Sequence, residues 1–334
     1  MSRNLRIGLA LCAPLLAIAV LHAQAPVKIG TIAPDGSIWA KAMREMGEAW
    51  SKRTNGRVRY TLYPGTVGTE EAILRDMRIS RRLHAAQLSA VTLARLDDAF
   101  NVFGIPLFYE SYEEVDAVLE KLSPVLDQRL QAKGLKVLNW GYVGWVHIFS
   151  KTPVKTVDDL RGLKLYTSAG DDRFPTWYRD NGFNPVPLDA SQMMSALSTG
   201  MLQAVPVTPL SAQIFAWYRS APFMMDVGFA PLIGATVMSL DAWKKVSAED
   251  QKAVIEEAEK AGRRLRADIP RLDKEAIAEM SRSGLTVTSG SEAEWRKAVE
   301  QFSTAMRGSI VPEDIYDAAR QTRDAVRAAG GKKD

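Results

Sequence analysis

The last third of the chain contains one amphipathic helix pattern that is too long for a single small domain. Ser247 to Asp250 resembles a capping box at its start, and Gly284 ends it. Between them, apolar residues recur at spacings of three and four, the pattern of one buried helix face. These residues are Val254, Ala258, Ala261, Leu265, Ile269 and Leu272. A helix of about 34 residues is ~50 Å long, so we expect it to cross two lobes, with a kink at Pro270.

Before that helix, strand patterns alternate with helix patterns. Strands are predicted over residues 27–31, 58–62 and 84–92, and helices begin at Ser37 and Thr69. This order implies a parallel sheet with helices on its faces.

The alternation breaks near residues 145–151 and again near 230–239. Before the first break, a helix is predicted from Ser111 to Lys133, followed by two strands over 135–140 and 142–149.

The fold class we predict is an α/β, two-lobed periplasmic binding protein fold with a long kinked helix spanning both lobes. Lobe I is predicted to comprise residues 26–146 and about 236–265, and lobe II residues 147–235 and about 266–330. Ligands of such folds bind in the cleft at the strand ends.

The first 25 residues are typical of a secretory signal peptide. Arg3 and Arg6 give a positive start, an apolar run covers 7–21, and small residues follow at Ala23 and Ala25. We predict cleavage near Ala23 to Ala25 and export to the periplasm. A retained anchor is the alternative, although about 15 apolar residues fall short of the ~20 that span a bilayer.

Cysteine usage limits the chemistry of the exported chain. Cys12 is the only cysteine and lies in the signal segment. Lipidation there is an alternative, but Leu11 is larger than the residue that lipoprotein processing needs. The mature chain therefore has no disulfide, thiolate nucleophile or cysteine metal site.

Charge and composition exclude other classes. Hydrophobic residues make up 46% and charged residues 25% of the chain, which is a globular composition. The net charge of +4 falls by two when Arg3 and Arg6 are removed. So small a net charge does not indicate a nucleic-acid-binding surface.

The mature chain has no arrangement typical of an enzyme. Its two histidines, His84 and His147, belong to no recognised catalytic motif. We predict that both are structural, that no cofactor is bound and that the protein is not an enzyme. The acidic pairs at 97–98, 158–159 and 171–172 are typical of helix starts and turns, with a Ca²⁺ site as the alternative.

Aromatic and methionine residues concentrate in the predicted second lobe and its crossings. Ordinary packing explains many of them, but their clustering favours an apolar cavity, since methionine adapts to irregular ligands. The residues are Trp145, Tyr166, Trp177, Met193, Met194, Met201, Trp217, Tyr218, Phe223, Met224, Met225 and Phe229.

Several segments together resemble the DctP-type solute-binding proteins of TRAP transporters. They are Lys28–Thr31, Tyr63–Gly65, Arg75–Ile79, Gly104–Phe108, Pro153–Val154, Asp159–Lys164, Gly182–Pro187 and Leu197–Gly200. The resemblance covers essentially the whole mature chain. It implies two α/β lobes that close on a solute and hand it to a membrane permease.

The chain departs from that family at two polar anchors. The family's arginine after the Gly-Leu-Lys-hydrophobic strand, which holds a ligand carboxylate, corresponds here to Tyr166. The family's Asp-Gly-x-Glu-Asn-Pro run is replaced by Gln203–Pro209. We therefore expect a cleft in which apolar side chains replace the guanidinium. Arg173 is the alternative that restores it.

Further motifs resemble a divergent subset that works with a tetratricopeptide-repeat partner and is suspected of carrying hydrophobic ligands. They are Asn139–Gly141, Gly144–His147, Ala169–Asp171 and Val205–Pro206. We accordingly predict an apolar or weakly polar ligand, which can carry one carboxylate. The predicted ligand-binding residues are Trp145, Tyr166, Trp177, Arg173, Val207, Thr208, Trp217, Phe223 and Met225.

Three alternatives to this function stay open. The same fold can bind an ordinary small organic acid through Arg173 or another arginine, including one from the other lobe. The other two are a periplasmic enzyme and a scaffold or sensor that binds no solute.

Overall fold

A computed structural model describes residues 25–169 and 173–330. Residues 1–24 of the signal segment, Gly170, the Asp171-Asp172 pair and residues 331–334 lie outside these ranges.

Ten strands are described. They are β1 (Ala25–Thr31), β2 (Val58–Pro64), β3 (Ala85–Ser89), β4 (Leu135–Ser150), β5 (Lys164–Ser168), β6 (Asn184–Leu188), β7 (Ala204–Val207), β8 (Phe223–Met225), β9 (Ala230–Ser239) and β10 (Thr286–Thr288).

Twelve α-helices are described with them. They are α1 (Ile38–Arg53), α2 (Glu70–Arg78), α3 (Ala90–Leu93), α4 (Tyr112–Ala132), α5 (Val157–Arg161), α6 (Arg173–Asp180), α7 (Met193–Thr199), α8 (Pro209–Ile214), α9 (Leu240–Trp243), α10 (Ala248–Arg282), α11 (Glu292–Ala305) and α12 (Glu313–Gly330). Short 3₁₀ helices cover Asp98–Gly104, Ala190–Gln192 and Trp217–Arg219.

The strands divide into two groups that share β4. Their order is β2-β1-β3-β9-β4-β7-β5-β6, and β8 joins β4 and β10 beside it. Residues 135–146 of β4, three quarters of its length, pair antiparallel with β9. Its last residues, 147–150, pair antiparallel with β7. One strand therefore passes from lobe I, with β1, β2, β3 and β9, into lobe II, with β5, β6, β7, β8 and β10.

The long helix α10 packs across this shared strand. It has 35 residues, and the Ser247 side chain caps it by accepting the Asp250 N–H at 3.2 Å. Its length is about 50 Å at 1.5 Å per residue, as predicted. The helix packs against α1, β4 and α8. It continues through Pro270, and the kink there stays a prediction.

Local capping signals in the sequence are confirmed. Ser37 accepts the Ala40 N–H at 3.2 Å at the start of α1, and Thr69 accepts the Ala72 N–H at 3.2 Å at the start of α2. The apolar face of α1 is buried, with Trp50 at 0% exposure. The hydroxyl caps and the apolar spacing thus fix where these helices begin and which side they bury.

Three predicted boundaries are wrong. The strand over 84–92 ends at Ser89, because that side chain caps α3 by accepting the Thr92 N–H at 3.3 Å. The two strands over 135–149 are one strand, because β9 pairs with both parts across register shifts at 137/139 and 142/144. The strand over 58–62 continues to Pro64, because β1 pairs with it along its whole length.

The core is continuous across the two lobes. One apolar cluster contains Ile105 and Leu122 of lobe I together with Leu197 and Val205 of lobe II. Within the two described ranges, no helix is both long and apolar enough to cross a membrane.

Candidate functional site

The carboxyl ends of the parallel strands face the boundary between the lobes. Strands β1 and β3 end at Thr31 and Ser89 in lobe I, and β5 and β7 end at Ser168 and Val207 in lobe II. Ligands of open α/β sheets bind beyond the carboxyl ends of the strands. This boundary is therefore the candidate site. We call Glu71, Arg95, Tyr166 and Ser168 the interlobe site.

Arg95 reaches from lobe I to the end of β5. Its Nη2 donates to Ser168 Oγ at 3.1 Å and to the carbonyl of Ala169. The same nitrogen lies 2.9 Å from Glu71 Oε1, in the first turn of α2. The side chains of Arg95 and Glu71 are 21% and 31% exposed, so the pair is shielded but still open to water. This places a guanidinium where the strand ends of the two lobes meet.

Tyr166 lies beside this pair. The residue is half-buried, and burial raises the pKa of its hydroxyl to about 12, although a hydrogen bond to Ser168 works in the opposite direction. The charges of Glu71, Asp189 and Arg95 also act on that hydroxyl. The phenol is therefore neutral at physiological pH and can donate a hydrogen bond.

The expectation of a ligand cleft without a guanidinium stays a prediction, but the strand ends where the lobes meet do carry a guanidinium. The sequence has Tyr166 where the resemblance places an arginine, but Arg95 supplies a guanidinium from the opposite lobe. Arg95 lies after α3, far from residue 166 in sequence, so only the tertiary structure brings the two together.

A second contact crosses the boundary at Arg173. Its Nη1 lies 2.5 Å from Asp98 Oδ2, and the two side chains are 40% and 46% exposed. Arg173 is the alternative ligand anchor predicted from the sequence. In the structure it pairs with a carboxylate of lobe I. Ion pairs as exposed as this one contribute about 0–1 kcal/mol.

The turn that leads to Arg95 is held by Glu70. Its carboxylate accepts the Ser89 N–H at 3.0 Å and the Ser89 hydroxyl at 2.6 Å, together with the Thr92 hydroxyl. Burial raises the pKa of Glu70, and these hydrogen bonds lower it. The carboxyl group therefore ties the end of β3 to α3 and fixes the backbone from which Arg95 projects.

Trp145, Val207 and Thr208 lie where β4 passes between the lobes. The Trp145 N–H donates to Asp273 Oδ2 of α10 at 3.1 Å. Val207 is buried and pairs with His147, and Thr208 is buried as the N-cap of α8. The Trp145 ring packs edge-on against Tyr112, with ring centroids 5.1 Å apart.

Trp177 lines a small apolar cavity of about 30 Å³, formed mainly by lobe II and completed by one proline of lobe I. The other lining residues are Pro106, Ile148, Leu160, Leu165, Tyr178, Phe183, Pro206, Phe229, Trp295 and Val299. Another pocket, of about 320 Å³, opens at the surface beside Arg219 and Gly284. It lies at the C-terminal end of α10, away from the carboxyl ends of the strands that define the interlobe site.

The remaining predicted residues lie elsewhere in lobe II. Trp217 stacks on Phe215, with ring centroids 4.8 Å apart. Phe223 and Met225 lie on β8, and Met225 is buried in a cluster with Val227 and Trp295. The structure therefore does not bring all nine predicted residues to one place.

The histidines have structural contacts. The Lys28 N–H donates to His84 Nδ1 at 3.0 Å, and His147 Nδ1 lies 3.0 Å from the Met225 carbonyl. Burial lowers the pKa of both imidazoles. No group of three or more metal-ligating side chains is found among residues 25–169 and 173–330.

Arg95, Glu71 and Ser168 were not among the site residues predicted from the sequence. A usable signal was present, because Arg95 is a lone cation in an otherwise uncharged segment that follows the carboxyl end of β3. A charged residue just after a predicted parallel strand is a candidate ligand contact, and Arg95 fits that description.

Similar proteins agree with this architecture. The 2,3-diketo-L-gulonate-binding periplasmic protein YiaO of Escherichia coli is 25% identical over 292 residues, 86% of this chain and 86% of that protein. The sialic acid-binding periplasmic protein SiaP of Vibrio cholerae is 21% identical over 86% of this chain and 89% of its own length.

A solved structure extends the agreement to the fold. The sugar acid binding protein DctPAm of Advenella mimigardefordensis, in complex with galactonate, superposes with a TM-score of 0.84 at 19% identity. The match covers 91% of this chain and 99% of that one. The predicted two-lobed fold is thereby confirmed. Residues 29–308 match the DctP family, and the chain belongs to this family of bacterial extracellular solute-binding proteins, family 7.

Proposed function

We propose that the protein is the periplasmic solute-binding component of a TRAP-type transporter, exported with a signal peptide cleaved near Ala23 to Ala25. Its two lobes close on a small ligand and deliver it to the membrane permease. The observation that carries the proposal is the meeting of Arg95 with Ser168 and Ala169 at the strand ends of opposite lobes. Such contacts are available only when the lobes come together, as a binding protein requires.

The ligand that we propose is apolar or weakly polar and carries one carboxylate. Support for an apolar body comes from half-buried aromatic side chains that pack against the core near the boundary, including Trp145, Tyr166 and Trp177. Support for a polar end comes from Arg95. The lobe ranges predicted from the sequence, the nine predicted ligand-binding residues and a tetratricopeptide-repeat partner belong to this proposal.

An ordinary small organic acid is the second candidate. It is favoured by solved relatives that contain sugar acids, such as the Pseudomonas putida F1 protein with bound D-glucuronate, which has a TM-score of 0.81 and 21% identity. In that case Arg173 or Arg95 holds the acid, and polar groups at the boundary contact its hydroxyls.

One experiment tests the function directly. The protein is purified from its natural host under native conditions and denatured, and the released small molecules are identified by mass spectrometry. A stoichiometric monocarboxylate with an aliphatic or aromatic body supports the first ligand class. A sugar acid or dicarboxylate supports the second.

Thermal shift is the complementary measurement. Stabilisation grows with ligand concentration relative to the dissociation constant. Titration with fatty acids and with keto, dicarboxylic and sugar acids identifies the preferred class. No shift with any acid, together with an empty purified protein, would contradict the transport function and favour a scaffold.

A further inference from the structure

The contacts of the Arg95 guanidinium involve only one of its three nitrogen atoms. Its contacts with Glu71, Ser168 and Ala169 all involve Nη2. In the part of the chain that the structure describes, Nε and Nη1 have no hydrogen-bond partner. An arginine fork binds a carboxylate through two parallel N–H donors. Arg95 therefore has donors available at the point where the lobes meet.

Around Arg95 lie the carboxylate of Glu71 and the neutral hydroxyls of Tyr166 and Ser168. This combination favours a ligand that has a single polar end. Glu71 is the counter-ion, and an anionic ligand must displace it or share the guanidinium with it. Because that pair is partly exposed, water screens it and its loss costs little. The neutral hydroxyls of Tyr166 and Ser168 can each donate one hydrogen bond to a carboxylate oxygen.

The position of Arg95 is fixed independently of a ligand. Glu70 holds Ser89 and Thr92, so the short helix before Arg95 is anchored to β3 in the absence of solute. A preorganised donor loses less conformational freedom on binding than a mobile one. Arg173 differs in this respect, since its guanidinium is more exposed and already contacts Asp98.

From these contacts we infer that Arg95 is the specificity-determining residue of the site: it leaves Glu71 and binds the ligand's carboxylate from lobe I. This inference rests on the proposed function. It predicts that Arg95, and not Arg173, makes the protein bind a carboxylate more tightly than the uncharged ester of the same acid. A charge-assisted hydrogen bond contributes about 1.5–3 kcal/mol, which corresponds to roughly tenfold to a hundredfold in affinity.

The test compares matched ligands on matched variants. Calorimetry measures the affinity of wild type, Arg95→Ala, Arg95→Lys and Arg173→Ala for octanoate, methyl octanoate and D-glucuronate. Thermal unfolding verifies that each variant is folded. We expect Arg95→Ala to lower the affinity for the preferred acid at least tenfold, with little change for the ester. Arg95→Lys should fall between, and Arg173→Ala should keep the wild-type ratio of acid to ester affinity.

The ratio of acid to ester affinity separates the outcomes. An Arg95→Ala protein that keeps the wild-type ratio overturns the inference, even if both affinities fall, because an equal loss indicates a structural role. A ratio that collapses in Arg173→Ala instead assigns the carboxylate to Arg173. If wild type binds none of the three probes, the acid that thermal shift selects and its methyl ester replace them; if no acid binds and the purified protein is empty, the proposed function fails and the assignment of Arg95 falls with it. If wild type binds only D-glucuronate, the uncharged methyl ester of D-glucuronate replaces methyl octanoate. The ratio of acid to ester affinity is then measured for that pair.

Discussion

Asp273 accepts the backbone N–H of Trp145 at 3.1 Å and so ties the long helix α10 to the strand that both lobes share. Its other oxygen accepts the Leu210 N–H at 3.0 Å, at the start of α8. Asp273 is only 6% exposed. One carboxylate thus joins three elements at the crossing between the lobes.

Replacement of Asp273 should destabilise the fold. Asp273→Ala leaves one buried and one partly buried N–H group without an acceptor, at about 1–3 kcal/mol each, so we expect a loss of roughly 2–6 kcal/mol. Urea unfolding measures it. Glu275→Ala is the control, because that side chain on the same helix is 57% exposed and should change stability by less than about 0.5 kcal/mol. Equal effects of the two substitutions would contradict the assigned role.

The contribution of Asp273 should depend on pH. Burial raises the pKa of its carboxyl group to about 6, above the ordinary 3.8, despite the two N–H donors. Between these values the folded state binds more protons than the unfolded state, so stability from this group falls as pH rises from about 4 to 6. The advantage of wild type over Asp273→Ala should shrink by roughly 2–3 kcal/mol across that window. Urea unfolding of both proteins at pH 4.5, 6 and 7.5 checks this, and an advantage that grows with pH would refute it.

Gly144 is required next to the same carboxylate. Its φ is +146°, and a Cβ there would lie 2.6 Å from Asp273 Oδ2 and 2.8 Å from Thr208 Cβ. We expect Gly144→Ala to cost about 2–4 kcal/mol through backbone strain and overpacking. Gly104→Ala is the control, since its Cβ would meet nothing within 4 Å. Equal urea midpoints for the two variants would show that β4 adjusts without cost.

A second glycine lets α10 approach β4. At Gly262 a Cβ would lie 2.4 Å from the Trp140 carbonyl oxygen, which also accepts from Arg266 Nη1 at 2.9 Å. One turn earlier, Asn139 Nδ2 donates to the Ala258 carbonyl at 2.7 Å. The helix and strand are therefore held at close range on both sides of the glycine.

We expect Gly262→Ala to destabilise the protein by about 1–3 kcal/mol, even though alanine favours a helix by up to ~1 kcal/mol over glycine. Denaturant unfolding measures the change. Arg263→Ala, at an adjacent side chain that is 60% exposed, should be nearly neutral. A stabilised Gly262→Ala protein would show that the helix can move away from β4.

The sequence predicted best those features that depend on neighbours along the chain. Ser37 and Ser247 cap their helices as expected, because a hydroxyl and an N–H three residues later meet without tertiary structure. The single strand β4 was not predicted, because its continuity depends on β9, roughly a hundred residues away. The same limit explains Arg95, whose partners Ser168 and Ala169 lie more than seventy residues along the chain.

Tyr166 offers the last test, because it occupies the position where the resemblance places an arginine. Tyr166→Arg would add a second guanidinium near Arg95 and remove a half-buried aromatic ring. We expect weaker binding of apolar ligands, since a buried ring of this size contributes about 1.5–3 kcal/mol. Binding of small acids should strengthen, because two cations face the carboxylate.

Calorimetry of Tyr166→Arg and Tyr166→Phe with octanoate and D-glucuronate measures both effects. Tyr166→Phe keeps the ring and removes only the hydroxyl, so it should reduce affinity for either acid by a few-fold, the equivalent of one hydrogen bond of about 1 kcal/mol. If neither substitution alters the binding of either acid, Tyr166 does not contact the ligand. The carboxylate would then have to lie on the side of Arg95 that faces away from β5, because Tyr166 and Ser168 both project from that strand.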